Sequence, residues 1–254
     1  MKPTATPPLG LHLQGVRLKR GITTVFDGLQ LRLTEQRIGL IGDNGAGKTS
    51  LFRLLCGLDT PQAGQVLLGE TDVHQARAGR PGLVGLMFQN PDDQIIFPTV
   101  EEELALGLRP LGLNKLQARE QARAFLDQRG LAHWAERAVS SLSQGQCQQV
   151  CWLSLLIAAP EVLLLDEPFA SLDLPGQARL AQDIAQATQQ ILISTHVLEH
   201  VRAFERVVWL EQGRVRGDGP GAEVCAAYEA DVAIRLPALL QSTAPAAPAG
   251  APHG

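Results

Sequence analysis

Aromatic side chains are scarce in this chain of 254 residues: 4% in all, with one tyrosine and three tryptophans. So few rings leave little on which the bases of a single-stranded nucleic acid could stack. An excess of basic charge is missing too. Twenty-two Lys and Arg stand against 26 Asp and Glu, a formal charge of −4, which argues against a mainly electrostatic nucleic-acid binder. No apolar run reaches the roughly 20 residues that a membrane-spanning helix needs. The longest apolar stretch, residues 150–165, is interrupted by Ser154, Pro160 and Glu161 and reads as a buried helix, a turn and a buried strand. Residues 1–9, MKPTATPPL, lack the apolar centre of a secretory signal. The four cysteines, at 56, 147, 151 and 225, form no C-x-x-C pair. Zinc and redox motifs therefore lack support, and the expectation is a cytosolic chain whose small, buried thiols are reduced.

What is present is an ordinary globular mixture. Hydrophobic residues make up 45% and charged residues 19%, enough for a sizeable core in one large domain or two small ones. Residues 1–8 and 237–254 are rich in Pro, Ala and Thr and are expected to be disordered tails. Between them the period of the apolar pattern changes. Residues 11–18 and 29–33 alternate as half-exposed, antiparallel strands do. Residues 37–41 form a short buried-strand run, followed by a predicted helix over 48–56. Strands are predicted at 65–68, 83–88, 162–165, 191–194 and 206–210, with an edge strand in a hairpin at 213–217. Residues 100–158 carry helical spacing. The pattern is a strand-rich α/β core interrupted by a helical insertion.

Two segments carry chemistry. Gly42-Asp43-Asn44-Gly45-Ala46-Gly47-Lys48-Thr49, followed by Ser50, satisfies G-x-x-x-x-G-K-[ST] between a predicted strand and a predicted helix. Its glycines let several backbone N–H groups point at one phosphate chain, and the helix adds its positive end. Lys48 would reach the β and γ phosphates of a nucleotide, and the Thr49 hydroxyl would ligate Mg²⁺. The second segment is the apolar run 162–165 ending in Asp166-Glu167-Pro168. It puts carboxylates at the carboxyl edge of a parallel strand, where ligands bind in open α/β sheets. Asp166 would hold Mg²⁺ through its water shell, and Glu167 would accept a hydrogen bond from the attacking water.

Further short motifs follow in order: Gln89 in Met87-Phe88-Gln89-Asn90-Pro91, Leu142-Ser143-Gln144-Gly145-Gln146, Ser171-Leu172-Asp173, and His196 after Ile191-Leu192-Ile193-Ser194-Thr195. Together with the phosphate loop and the Asp-Glu pair, they resemble the ATP-binding cassette (ABC) family from about residue 11 to about 227. The resemblance implies a P-loop NTPase (RecA-like) core with an antiparallel β subdomain and an inserted α-helical subdomain. It would occupy residues 9–236, with the helical part at about 92–155. It also implies an ATPase in which two cassettes sandwich two ATP molecules head to tail. Lys48, Gln89, Glu167 and His196 would act catalytically, with Thr49, Gln89 and Asp166 around Mg²⁺. Ser143, Gln144, Gly145, Gln146 and Asp173 would face the nucleotide of the partner cassette.

Two positions depart from that pattern. Gln144 stands where the common signature has Gly. Arg20 aligns where the family stacks an aromatic ring on adenine, and a guanidinium can also stack there. The stretch Phe88-Gln89-Asn90-Pro91-Asp92-Asp93-Gln94, continuing to Phe97-Pro98-Thr99-Val100-Glu101-Glu102-Glu103, looks like that of energy-coupling-factor importers of vitamins, cobalt or nickel. Arg37-Ile38-Gly39-Leu40-Ile41 is similar to the ATPases of biotin importers. The implied partners are a second ABC ATPase subunit, identical or not, a transmembrane scaffold subunit and a substrate-capturing membrane subunit, with no nucleic acid. The implied location is peripheral, on the cytoplasmic face of the membrane. A soluble cassette ATPase acting on ribosomes or DNA, another transporter class, and a degenerate ATP-binding module are the competing readings. Only one phosphate loop and no sustained heptads disfavour the first, and the intact Lys48, Asp166, Glu167 and His196 disfavour the last.

Overall fold

The computed structural model describes residues 10–79 and 82–242. Strands β1 (Leu11–Arg20) and β2 (Thr23–Leu33) form an antiparallel hairpin with bulges along its register. The observed β2 starts six residues before the predicted strand at 29. Its outer end, with Thr23 and Thr24, is wet on both faces, so backbone pairing holds it there and no apolar alternation marks it. Strand β3 (Arg37–Ile41) is buried and leads through the phosphate loop into helix α1 (Lys48–Leu55), whose Leu51, Phe52, Leu54 and Leu55 all face the core. Strands β4 (Ala63–Leu68) and β5 (Thr71–Asp72) then complete a four-stranded sheet in the order β2-β1-β4-β5. Helix α2 (Val73–Gly79) follows.

Strand β6 (Val84–Met87) joins the second sheet, to which β3 also belongs, and the chain then leaves it for a helical layer. That layer contains α3 (Val100–Leu106), α4 (Lys115–Asp127) and α5 (Gln144–Ile157), with one 3-10 turn between the first two and two between the last two. It has its own core, built on Leu104, Leu126, Trp134, Val150 and Leu153. Helix α5 buries two faces: Val150, Leu153 and Ile157 join that core, while Cys151 and Trp152 pack toward the sheet. A helix covered on two sides needs apolar residues outside a single stripe, which explains the long apolar run ending in the turn at Pro160.

The sheet resumes with β7 (Val162–Asp166), followed by α6 (Leu174–Gln186), β8 (Gln190–Ser194), β9 (Arg206–Glu211), β10 (Arg214–Gly219) and α7 (Gly221–Ser242). Its order is β10-β9-β3-β8-β7-β6, parallel except for the edge strand β10. Strands β3 and β7 flank β8, so the carboxyl ends of three neighbouring strands open on one edge, where ligands bind in sheets of this kind.

The expected tail from residue 237 is corrected in part: α7 continues to Ser242 with Pro237 inside it. A proline forfeits one helical hydrogen bond without forcing the helix to end. The expected tail 1–8, and the remainder of the other from 243, lie outside the described residues. The expected burial of the cysteines holds for Cys151 and Cys225, while Cys56 and Cys147 are half-buried.

Candidate active site

Glycine shapes the turn after β3. Gly42 has φ 143°, and a Cβ there would lie 2.1 Å from the Leu210 carbonyl oxygen. Gly47 has φ 107° at the start of α1, with the Phe26 ring 3.1 Å from where a Cβ would stand. Other residues meet strain at both places. Lys48 opens α1 and is 8% exposed. Its Nζ donates to the carbonyls of Gly42 at 2.7 Å and Asp43 at 3.2 Å, which leaves a third N–H. Burial lowers its pKa, opposed by the carboxylates of Glu167, Asp166 and Asp43.

The acidic pair arrives from β7. Thr49 Oγ1 donates to Asp166 Oδ2 at 2.9 Å. Glu167, one residue on, has φ 47°, a left-handed conformation that costs energy for any residue but glycine. Its N–H is held by the Ser194 carbonyl at 2.9 Å. Strain of this kind gathers at functional sites. The His196 N–H donates to Glu167 Oε2 at 3.3 Å. Oε1 is buried and takes no hydrogen bond from any described residue, although His196 Nε2 lies 3.3 Å away. A buried acceptor without a protein donor suits a bound water. Burial pushes the Glu167 carboxyl up, while His196 and Lys48 pull it down.

One cavity of about 250 Å³ is lined by Asn44, Gly45, Gly47, Lys48, Thr49 and Ser50 of the loop together with Gln89, Asp166, Glu167 and His196. Thr49, Gln89 and Asp166 offer hard oxygen atoms around it. Few protein ligands and few carboxylates suit Mg²⁺, which keeps several waters. Among the described residues no group of three or more His, Cys, Asp or Glu could hold a metal, so no denser site competes.

The other expected residues lie elsewhere. Ser143, Gln144, Gly145, Gln146 and Asp173 line a second cavity of about 500 Å³, which shares no lining residue with the first. Their visible roles are local. Ser143 and Gln146 form a capping box at the start of α5. Gln146 Oε1 accepts the Ser143 N–H at 3.0 Å, so the role the fold shows for it is that of a helix cap. Asp173 caps α6 by accepting from the Gly176 N–H at 2.9 Å. Ala46 is buried in the loop and donates its N–H to the Asp43 carbonyl at 3.1 Å. Arg20 Nε donates to Ser50 Oγ at 3.2 Å, and its guanidinium also pairs with Asp59, so it stands beside the loop. Phe26, the nearest aromatic in sequence, is 1% exposed beneath Gly47 and cannot stack on a base.

With this geometry in hand, comparison with known proteins is informative. A family model described as ABC transporter matches residues 26–170. That span runs from beneath the phosphate loop through the Asp166-Glu167 pair and covers more than half of the chain. The chain belongs to the ABC transporter family. It is 49% identical over 213 residues to the biotin transport ATP-binding protein BioM of Rhodobacter capsulatus, covering 84% of this chain and 91% of that one. It is 34% identical over 220 residues to the BioM of Rhizobium etli, covering 87% and 98%. Among solved structures, CbiO1 of Clostridium perfringens, part of the ABC transporter complex CbiONQ, superposes with a TM-score of 0.73. The two chains are 25% identical, over 92% of this chain and 98% of that one.

As an ABC transporter ATP-binding protein, the chain binds ATP and is an ATPase coupled to transport. Its fold is the P-loop NTPase fold of the family. No described helix is long and apolar enough to cross a membrane.

Proposed function

We propose that this chain powers an energy-coupling-factor importer of biotin, as a peripheral subunit on the cytoplasmic face of the membrane. It would work as one of a pair of ATPases, beside a transmembrane scaffold subunit and a substrate-capturing membrane subunit. The observation that carries the cargo is the 49% identity to BioM along most of both chains. The loop after β6 supports a membrane partner. Glu103 Oε2 accepts the N–H groups of Ile96 and Phe97, each at 2.9 Å, and so holds an Ile96 side chain that is 74% exposed. Cobalt or nickel import is the second reading, supported by the likeness to CbiO1.

In this reading the loop N–H groups, the start of α1 and Lys48 bind the phosphates of ATP. Thr49, Gln89 and Asp166 would hold Mg²⁺, which when bound neutralises charge on the phosphate oxygens. Glu167 orients the attacking water, and His196 helps hold it against the γ-phosphate. The Ser143 hydroxyl remains able to donate, and with the N–H of Gly145 and the positive end of α5 it suits a γ-phosphate of the partner's nucleotide.

Gly145 supports that pairing. It lies in the first turn of α5 without a positive φ, and a Cβ there would meet nothing closer than Leu172 Cδ2 at 3.6 Å. Glycine costs a helix interior up to about 1 kcal/mol relative to alanine, so the fold alone would favour Ala. Gly145→Ala is therefore expected to keep or raise the melting temperature. The same change should lower ATP-driven dimerisation and kcat about tenfold, because a methyl group blocks an approaching phosphate. Unchanged turnover and dimerisation would remove Gly145 from the site.

The transport reading is tested by purifying the tagged full chain from detergent extract of its own cells and identifying the membrane subunits retained. Uptake of labelled biotin and of labelled cobalt in a strain lacking the chain separates the two cargoes. Loss of biotin uptake alone is the expected result, and loss of cobalt uptake alone favours the second reading.

A further inference from the structure

The C-terminal helix holds the phosphate loop by one side chain. Asp43, the second residue of the loop, accepts a hydrogen bond from Tyr228 Oη on Oδ1 at 2.7 Å and one from Arg235 Nη1 on Oδ2 at 2.7 Å. Both donors belong to α7, which lies beyond the residues matched by the family model. Neither is loosely placed. The Tyr228 ring packs edge-on against Trp209 at 5.2 Å, and Arg216 lies 4.5 Å over the same Trp209 ring. Arg235 Nε pairs with Asp231 at 2.5 Å, and Asp231 also pairs with Arg216 at 2.5 Å. The carbonyl of Asp43, meanwhile, accepts from the Ala46 N–H and from Lys48 Nζ. One residue thus joins α7 on its side chain and the catalytic lysine on its backbone.

The charge of Asp43 gives this contact a consequence. Hydrogen bonds from Arg235 and Tyr228, helped by the charges of Arg235 and Lys48, hold its carboxyl below the usual range against a smaller effect of burial. It is therefore ionised. A carboxylate in a loop that must wrap a triphosphate repels the ligand unless a cation cancels it. Arg235 is the cation whose guanidinium meets that carboxylate directly.

We propose that Arg235, with Tyr228, is a positioning residue for nucleotide binding: it cancels the charge of Asp43 and fixes the turn that begins the phosphate loop. The proposal rests on the phosphate-loop reading and adds the requirement that α7 be docked for tight ATP binding. Its mark is on affinity and not on the chemical step, because neither side chain reaches the cavity that holds Lys48 and Glu167.

The test measures ATP hydrolysis and binding of a fluorescent ATP analogue by the full-length chain. Arg235→Gln is expected to raise KM and the analogue's Kd about five- to tenfold and to leave kcat within about twofold, the pattern of lost uniform binding. The effect shrinks as salt screens the exposed charge. Adding Asp43→Asn to Arg235→Gln removes the repelling carboxylate and returns KM to within about twofold of the parent. Arg235→Lys, which keeps the cation, stays near the parent and covers the case in which the Gln variant fails to fold. An unchanged KM in Arg235→Gln overturns the proposal. So does a raised KM that Asp43→Asn leaves uncorrected, or an Arg235→Lys variant as weak as the Gln variant. Lys48→Ala, run beside them, separates this failure from failure of the phosphate-loop reading, since only the latter leaves Lys48→Ala active.

Discussion

Lys48→Ala is expected to abolish ATP turnover, with kcat falling by about 10³-fold and nucleotide binding weakened. The ammonium is 8% exposed and tethered to two loop carbonyls, so its position is set before a ligand arrives. A preorganised cation needs little reorganisation as charge develops on a transferred phosphoryl group, and removing one such donor costs about 10²–10³ in rate. Loss of fold is a poor alternative explanation. Burial already penalises the charged form of Lys48 and lowers its pKa, so truncation relieves that desolvation. The melting temperature should shift by no more than a few degrees. Full hydrolysis by this variant would overturn the assignment of the loop.

Glu167→Gln should separate binding from chemistry. The amide keeps the shape of the side chain and loses the acceptor strength that orients a water, and a positioned base contributes about 10²–10⁴-fold. Turnover is expected to fall by that amount while ATP still binds, so dimers accumulate in excess ATP and size-exclusion chromatography detects them. A monomer in excess ATP would count against the paired mechanism. Burial raises the Glu167 carboxyl above its ordinary value, which has two signed consequences. In the parent, the working form is the carboxylate, so kcat should decline on acidification at a pH above the ordinary carboxylate range. For folding, a raised pKa in the folded state means that stability is lost as pH rises through that value. At neutral pH the Gln variant is therefore expected to be at least as stable as the parent. An inactive protein that melts higher than its parent would mark Glu167 as kept for function.

The parts of the site that were legible in the sequence are the contiguous ones. The phosphate loop is a single run of eight residues whose glycines are required by local backbone geometry, as Gly42 and Gly47 demonstrate. The Asp166-Glu167 pair ends a buried run, and its place at a sheet edge follows from strand pairing. Short signals with two meanings were harder. Ser143-Gln144-Gly145-Gln146 also spells a capping box, and that second meaning accounts for Gln146 in the folded chain. Asp173-Leu174-Pro175 announces the start of α6, with a capping acid and an early proline, yet reads first as part of a nucleotide motif. Helix α7 was partly hidden because Ala and Pro content near residue 237 resembles a tail.

By itself the sequence determined the turn proposed to cradle a phosphate chain, because that turn is local: its glycines, lysine and threonine need only their neighbours to adopt it. It also determined the two buried sheet strands that deliver that cradle and the acids, through apolar runs that have nowhere to go but a core. The tertiary structure decided what spacing along the chain cannot encode. It divided the expected ligands between two cavities with no residue in common. It drew Phe26 under Gly47, away from any base. It also brought Tyr228 and Arg235 across 185 and 192 residues to Asp43. Such contacts leave no periodic trace, because hydrogen bonds and ion pairs depend on distance in space, and only the folding of α7 against β9 and β10 sets that distance.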